Sequence, residues 1–245
     1  MISTEILYEN KNKTEFFGKY QDIRQKMDYN YFKNYTKERQ LFQDTIIDSY
    51  FVNIKSRNNC WIMFTCGCFG SGKSHVIDYF NNLGFVNRNE YIYIDPDQIK
   101  HKLPETKTYI NNNPVHASTM LHMESTFISL LIEYIALHNS YPIIIDGSLH
   151  NHKWYQEHFK YIYDNHKQYV IGIVKVNCDI DIIKQRCSKR GESTGRIISE
   201  DYIVEICLKI PISFNILKDL VNFYIEVTNN DIVIVNKIKF NNINK

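Results

Sequence analysis

The sequence predicts a three-layer α/β fold: a mostly parallel sheet with helices on both faces. Three observations carry that expectation. Short apolar runs suited to buried strands alternate with segments of helical periodicity, and such alternation builds a parallel sheet covered on both sides. Polar or acidic residues follow several of these runs directly, at the carboxyl ends of strands where open α/β sheets place their sites. A Gly-rich octapeptide, Gly67 to Ser74, lies between the first such run and a helix-forming segment.

Residues 1–35 are polar, aromatic-rich and weakly periodic, and read as an N-terminal extension of uncertain order. The remaining chain, 36–245, reads as one domain. From Thr36 to Val52, Leu41, Phe42, Ile46, Ile47, Tyr50 and Phe51 recur at helical spacing. Cys60 to Thr65 is the first strand, and Ser74 to Asn81 opens a helix. Tyr91 to Ile94 is a second strand ending at Asp95-Pro96-Asp97, and a loop through Pro104 and Pro114 follows. A long helix is expected from Ala117 to His138, then a strand from Pro142 to Ile145 that ends at Asp146. Tyr169 to Val176 is a strand, and Asp179 to Lys189 a helix. An Arg-bearing loop, Arg190 to Arg196, forms a lid, and helices are expected over Glu200–Leu208 and Ser213–Asn222. Strands at Tyr224–Val227 and Ile232–Val235 flank a turn at Asn229-Asn230.

Composition narrows the classes. With 29 basic and 27 acidic residues the formal charge is +2, which gives no support to a nucleic-acid partner held by bulk charge. The six cysteines form no C-x-x-C pair, so reduced thiols in a cytoplasmic setting are expected, without a zinc or redox site. No apolar stretch is expected to reach membrane-spanning length, and the polar N-terminus lacks a signal-peptide core.

The octapeptide fits the phosphate-binding pattern G-x-x-x-x-G-K-[ST] without mismatch. Glycines let successive N–H groups curl toward a polyphosphate. A lysine ammonium reaches its β- and γ-phosphates, and a serine hydroxyl ligates Mg²⁺. Gly67, Cys68, Phe69, Gly70, Ser71, Gly72, Lys73, Ser74 and the following His75 are therefore the expected binding segment for ATP and Mg²⁺, in a P-loop NTPase fold. The nearest approach to a guanine-reading N-K-x-D is Asn236-Lys237-Ile238-Lys239, with lysine in place of the carboxylate.

Further candidates stand at strand ends. A carboxylate in Asp95-Pro96-Asp97 can accept a proton as a hydroxyl attacks the γ-phosphate. Asp97 is the freer of the two, and Asp95 suits the turn. Asp146, closing a buried strand, is placed to hold Mg²⁺ opposite Ser74. On the long helix Glu124 projects within about 40° of Met120 and about 60° of Phe127. A carboxylate beside an apolar stripe must be paired or face a cleft. Substrate contact is the favoured reading and a buried salt bridge its competitor, whereas Glu133 points away from the stripe and is expected to be solvated. Arg186 and Arg190 share a helix face and Arg196 follows a Gly-flanked segment, so their guanidinium forks could cover a transferring phosphoryl group, or simply end an exposed helix. His150 and His152 lack further metal ligands at a recognisable spacing and suit loop or substrate contact.

Taken in order, these motifs resemble the zeta-toxin family of P-loop kinases. Gly70-Ser71-Gly72-Lys73-Ser74, Ile94-Asp95-Pro96-Asp97-Gln98-Ile99-Lys100, Leu103-Pro104, His122-Met123-Glu124, Ile145-Asp146-Gly147-Ser148 and the segment from Arg186 to Thr194-Gly195-Arg196 carry the resemblance. It spans Thr36 to Asn236. It implies ATP-dependent phosphorylation of a hydroxyl, in the bacterial toxins the 3′-hydroxyl of the sugar in UDP-N-acetylglucosamine. Asp97 would be the general base and Lys73 the γ-phosphate ligand. Ser74 and Asp146 would hold Mg²⁺, Arg186, Arg190 and Arg196 would stabilise transition-state charge, and Lys100, Glu124 and Ser148 would line the acceptor site. Phe69 replaces a frequent proline, and His150 replaces an arginine that can serve the substrate. A small-molecule acceptor, a nucleotide sugar above all, is the favoured partner. A 5′-hydroxyl polynucleotide kinase and an inactive nucleotide-binding regulatory module are the alternatives.

Overall fold

The computed structural model describes residues 2–194 and 198–243. In chain order the helices are α1 (Thr4–Leu7), α2 (Gln21–Arg24), α3 (Lys37–Asp48), α4 (Lys73–Asn82), α5 (Pro96–Lys102), α6 (Thr106–Asn112), α7 (Pro114–Met120), α8 (His122–His138), α9 (His152–Asn165), α10 (Ile180–Thr194) and α11 (Glu200–Leu217). The strands are β1 (Cys60–Cys66), β2 (Ile92–Ile94), β3 (Ile143–Ile145), β4 (Tyr169–Asn177), β5 (Phe223–Asn229) and β6 (Val233–Phe240). Two compact units interleave along the chain: Met1–Asn53 with Ile94–Leu137, and Ile54–Tyr93 with His138–Lys245.

The second unit is built on a six-stranded sheet of order β2-β3-β1-β4-β5-β6. β1 is parallel to β3 and β4, β4 is parallel to β5, and β6 returns antiparallel. The central strands are largely apolar because both their faces are covered. Met63, Ile144 and Val174 pack under Val76, Ile77 and Phe80 of α4. One residue on, Phe64 points to the opposite face and meets Tyr155 and Phe159 of α9, with ring centroids 5.7 and 5.1 Å away. On that face Phe214 of α11 sets its ring edge-on to Tyr224, 5.4 Å distant. The architecture is thus a mixed α/β fold with a mostly parallel central sheet flanked by helices.

In the first unit, Phe127 of α8 is ringed by Tyr29, Phe32 and Tyr35 at centroid distances of 6.3, 5.2 and 5.3 Å. Those three aromatics come from the segment expected as an extension of uncertain order. It is further held by Arg24, fully buried, whose Nη1 lies 2.6 Å from Asp44 Oδ1 on α3. Asn34 donates from Nδ2 to the carbonyls of Asn12 and Glu15.

Several elements depart from expectation. The stretch through Pro104 and Pro114 is three short helices and not a loop. Pro96 and Pro114 stand in first turns, where the missing N–H costs nothing, and Asp95 and Asn113 cap them by accepting from Asp97 N and His116 N. The helix expected from Ala117 is interrupted at Leu121. Pro114–His138 does reach membrane-spanning length and apolarity, contrary to expectation, but it is mostly buried, and Glu124 on it is ion-paired, as suits a core helix. α10 continues to Thr194, so Arg190 is helical and not in a loop. One helix, α11, replaces the expected two and runs through Pro211. Burial of Ile203, Ile206, Ile210, Phe214 and Leu217 along one face outweighs the roughly 3 kcal/mol proline cost. α9 was not anticipated at all.

Candidate active site

The octapeptide joins the end of β1 to α4. Because β3 and β4 lie on either side of β1, its carboxyl end is a switch point of the sheet, where α/β folds bind ligands. Gly72 caps α4 in the left-handed region at φ +81°, and a Cβ there would stand 2.1 Å from Asn229 Nδ2. Gly70, at φ +73°, has no more room, since a Cβ would meet Cys187 Sγ and the Ile183 carbonyl at 2.9 Å. From behind, Asn229 donates to the carbonyls of Ser71 at 2.8 Å and Gly72 at 3.4 Å. The Ser71 hydroxyl is buried in the loop with no hydrogen-bond partner.

Asp146, at the end of β3, gathers the loop's reactive groups. Ser74 Oγ and Tyr93 OH donate to its Oδ2 at 3.1 and 2.7 Å. Thr65 Oγ1 donates to its Oδ1 at 2.9 Å and accepts from Gly147 N, also at 2.9 Å. The Lys73 ammonium stands 3.9 Å from Oδ1 and donates to the Cys68 carbonyl at 3.2 Å. The Ser74 hydroxyl and Asp146 carboxylate are adjacent hard oxygen donors, the kind Mg²⁺ selects. With the orphaned Ser71 hydroxyl and the tight glycine turns, the residues fit a Mg²⁺–triphosphate. No cluster of three or more His, Cys, Asp or Glu suited to a metal occurs among the described residues.

Ser148 and His150 are brought together, Oγ to Nδ1 at 2.6 Å. Leu149 between them is buried at φ +59°, and its carbonyl accepts from the Ser213 hydroxyl. Burial first, then the charge of Lys209, holds the His150 imidazole below its ordinary value. His75 is exposed in the first turn of α4. Arg186, expected on a helix face from which it could cover a transferring phosphoryl group, donates from its guanidinium to the carbonyls of Asn229 and Asn230, with Gly70 O at 3.5 Å. It ties α10 to the β5–β6 turn and the phosphate loop. Arg190 lies one helical turn further along α10, and Arg196 falls outside the described residues.

Asp97, Lys100 and Glu124 belong to the first unit. Asp95 caps α5, and Asp97 Oδ1 accepts from the largely buried Lys100 ammonium at 3.2 Å. Lys100 also donates to Ser118 Oγ at 3.0 Å. Glu124, favoured for substrate contact, makes the buried salt bridge instead. It has no exposed surface, and Arg39 grips it with Nε and Nη2 at 2.6 and 2.8 Å while Gln43 donates at 2.9 Å. Glu133, expected to be solvated, is buried as well. Arg39 also pairs with Glu105 at 2.9 Å. Burial raises the Glu105 carboxyl, but Arg39 and Tyr8 outweigh it and hold the group below its ordinary range. The hydrogen bond to Glu105 pushes the Tyr8 phenol up to about 12.

Sequence reasoning missed the roles of Thr65, Tyr93 and Asn229, which lie at or near the ends of β1, β2 and β5, and that of Arg39. The available signals were a lone Thr before the loop, and Arg39 with Gln43 at i,i+4 on the first long helix.

A family model described as Zeta toxin matches residues 43–239. No curated protein matches the sequence. Among solved structures, one from the PezAT chromosomal toxin-antitoxin system of Streptococcus pneumoniae is similar at TM-score 0.67 and 10% identity, covering 84% of this chain and 83% of that one. A structure of AvrRxo1-ORF1 with AvrRxo1-ORF2 and ATP is similar at TM-score 0.61 and 11% identity, covering 96% and 76%. Another of that pair, with sulphate ions, gives TM-score 0.62 and 11% identity, covering 99% and 80%. At these identities the likeness is one of fold.

Proposed function

The chain belongs to the zeta-toxin family, and from that premise we propose that it is a Mg²⁺- and ATP-dependent kinase that phosphorylates a hydroxyl acceptor. The observation that carries the proposal is the convergence of Ser74, Lys73, Thr65 and Tyr93 on the single carboxylate of Asp146 at the mouth of the glycine loop. The similar fold described with ATP accords with it.

Bound Mg²⁺-ATP would supply the transferable phosphoryl group and neutralise part of its charge. Ser74 and Asp146 would hold the metal, with Thr65 and Tyr93 fixing the carboxylate's orientation. Lys73 would exchange the Cys68 carbonyl for phosphate oxygens. Gly67, Cys68, Phe69, Gly70, Ser71, Gly72 and His75 complete the binding segment. Arg190 and Arg196 would meet developing charge, while Arg186 braces the loop. We assign Asp97 as the general base on the strength of the family resemblance. Its carboxylate would take the proton of the attacking hydroxyl, and the Lys100 ammonium would steady it in its reactive orientation. Lys100, Ser148 and His150 are the proposed acceptor residues, and the sugar of a UDP-N-acetylglucosamine-like nucleotide is the proposed acceptor.

γ-Labelled ATP offered in parallel with UDP-sugars, nucleosides and 5′-hydroxyl oligonucleotides tests this reading. Label in the UDP-sugar is expected. Label in the oligonucleotide would replace the acceptor, and nucleotide hydrolysis without product would remove it. Lys73→Ala and Asp97→Ala are each expected to abolish transfer in a folded protein, and full activity of Asp97→Ala would strip that residue of its role.

A further inference from the structure

The cysteine thiols take no part in the chemistry above, yet two of them lie where α11 backs the phosphate loop. Cys68, the loop's second residue, is buried, and its thiol donates to the Ile203 carbonyl of α11 at 3.6 Å. Cys207 lies one helical turn beyond Ile203 on α11, so its side chain stands next to the carbonyl that the Cys68 thiol contacts. Cys207 is only partly buried, so a small reagent can reach one sulfur of the pair. The neighbouring Phe69 packs on Tyr202 of the same helix, ring centroids 5.6 Å apart, so α11 backs this part of the loop at two successive residues.

We propose that Cys68 and Cys207 are a thiol-oxidation site, in which a low-molecular-weight disulfide joins them into a bond that closes the triphosphate loop against α11. The Cys207 thiolate attacks one sulfur of the reagent and expels one thiol. The Cys68 sulfur then attacks Cys207 and expels the second. Two protein thiols and one small disulfide become one protein disulfide and two small thiols, so electrons and protons balance. With the Cys68 sulfur already 3.6 Å from the Ile203 carbonyl, one turn before Cys207, side-chain rotation has to bring the two sulfurs to bonding distance across a single loop–helix contact. Burial, followed by the Cys207 contact, holds the Cys68 thiol well above its ordinary value. The order of attack follows, beginning at the more exposed Cys207.

The consequence for binding rests on the kinase reading. The Cys68 carbonyl is the present partner of the Lys73 ammonium, and Lys73 must leave it to reach a phosphate. A bond that draws Cys68 onto α11 shifts that carbonyl and the turn that follows. Loss of triphosphate affinity by tenfold or more is expected, reversed by dithiothreitol.

The whole chain is treated with oxidised glutathione and digested without reduction, and its linked peptides are identified by mass spectrometry. A fluorescent ATP analogue is titrated in parallel. A Cys68–Cys207 peptide that accumulates as analogue binding falls supports the proposal, as does a Cys207→Ser variant that binds normally and resists the treatment. Linkage of Cys68 to Cys187, whose sulfur also lies near the loop at Gly70, overturns it. So does the absence of any linked peptide, or a linked protein that binds the analogue undiminished. If the reduced protein binds no analogue, the ATP reading fails, and the linked peptide alone still decides whether the oxidation site exists.

Discussion

Glu124 is a carboxylate with no exposed surface that accepts three hydrogen bonds, and its removal should be felt in stability and not in acceptor binding. Breaking a buried ion pair from one side costs about 3–5 kcal/mol. Glu105 stays to compensate Arg39, so Glu124→Ala is expected at the lower end, near ~3 kcal/mol, measured by urea unfolding. An acceptor KM that rises while the urea midpoint holds would return Glu124 to the acceptor site. The same network makes an acid-range prediction. A carboxyl held below its unfolded value of 4.5 contributes stability that is complete above that pH and is lost as pH falls toward the folded value. Urea midpoints of the native chain should therefore drop below about pH 4.5 more steeply than those of Glu105→Gln. Parallel curves would mean that Glu105 is not part of the acid response. Arg39 escapes a reading from sequence because a charge on an amphipathic helix usually faces water. Only the two acids from distant segments, at positions 105 and 124, give it a buried purpose.

At the level of elements, the phosphate loop is held as much by the end of β5 as by its own glycines. Asn229 supports two loop carbonyls and occupies the space a Cβ on Gly72 would need. Asn229→Ala takes the donor from the Ser71 carbonyl, whereas the Gly72 carbonyl keeps Val76 N–H; this costs about 1–3 kcal/mol, and the loosened loop should bind triphosphate about tenfold more weakly. Gly72→Ala alone should be worse, because it adds a clash to a strained φ. In the Asn229→Ala background the clash is gone and only the φ strain is left, so the two effects should fall short of additivity. Strict additivity in a titration of all four proteins with an ATP analogue would show that Asn229 does not press on the loop. The motif is legible in the sequence because each of its positions has a fixed task, and the buried strands because continuous apolar runs between polar ends have few other uses. α5, α6 and α7 are not, since helices of seven residues are set by caps and prolines and show no full period. Asn229 reads as a turn residue because nothing local to it indicates a loop that lies 158 positions earlier.

For the whole molecule, the order of strands and acidic strand ends is what the sequence pattern declares, while the interleaving of two units is invisible to it. Periodicity is a local signal, and the split joins residues 1–53 to 94–137 through side chains such as Arg39 and Phe127 that find partners only after folding. For the proposed kinase, a near-neutral charge of +2 leaves nucleotide recognition to local geometry and not to a general field, so the nucleotide's energetic effect on the chain would follow from site occupancy. A ligand that binds only the folded state at a hundred times its Kd adds about 2.7 kcal/mol. In a chain of 245 residues that raises Tm by about 5–10 °C. Mg²⁺-ATP is expected to give this shift by differential scanning fluorimetry, and Lys73→Ala, which keeps the fold but loses the charge at the mouth of the loop, should show little of it. A shift of equal size in Lys73→Ala would mean that the nucleotide stabilises the chain from some other place, and the assignment of Gly67 to Ser74 as the triphosphate site would fall.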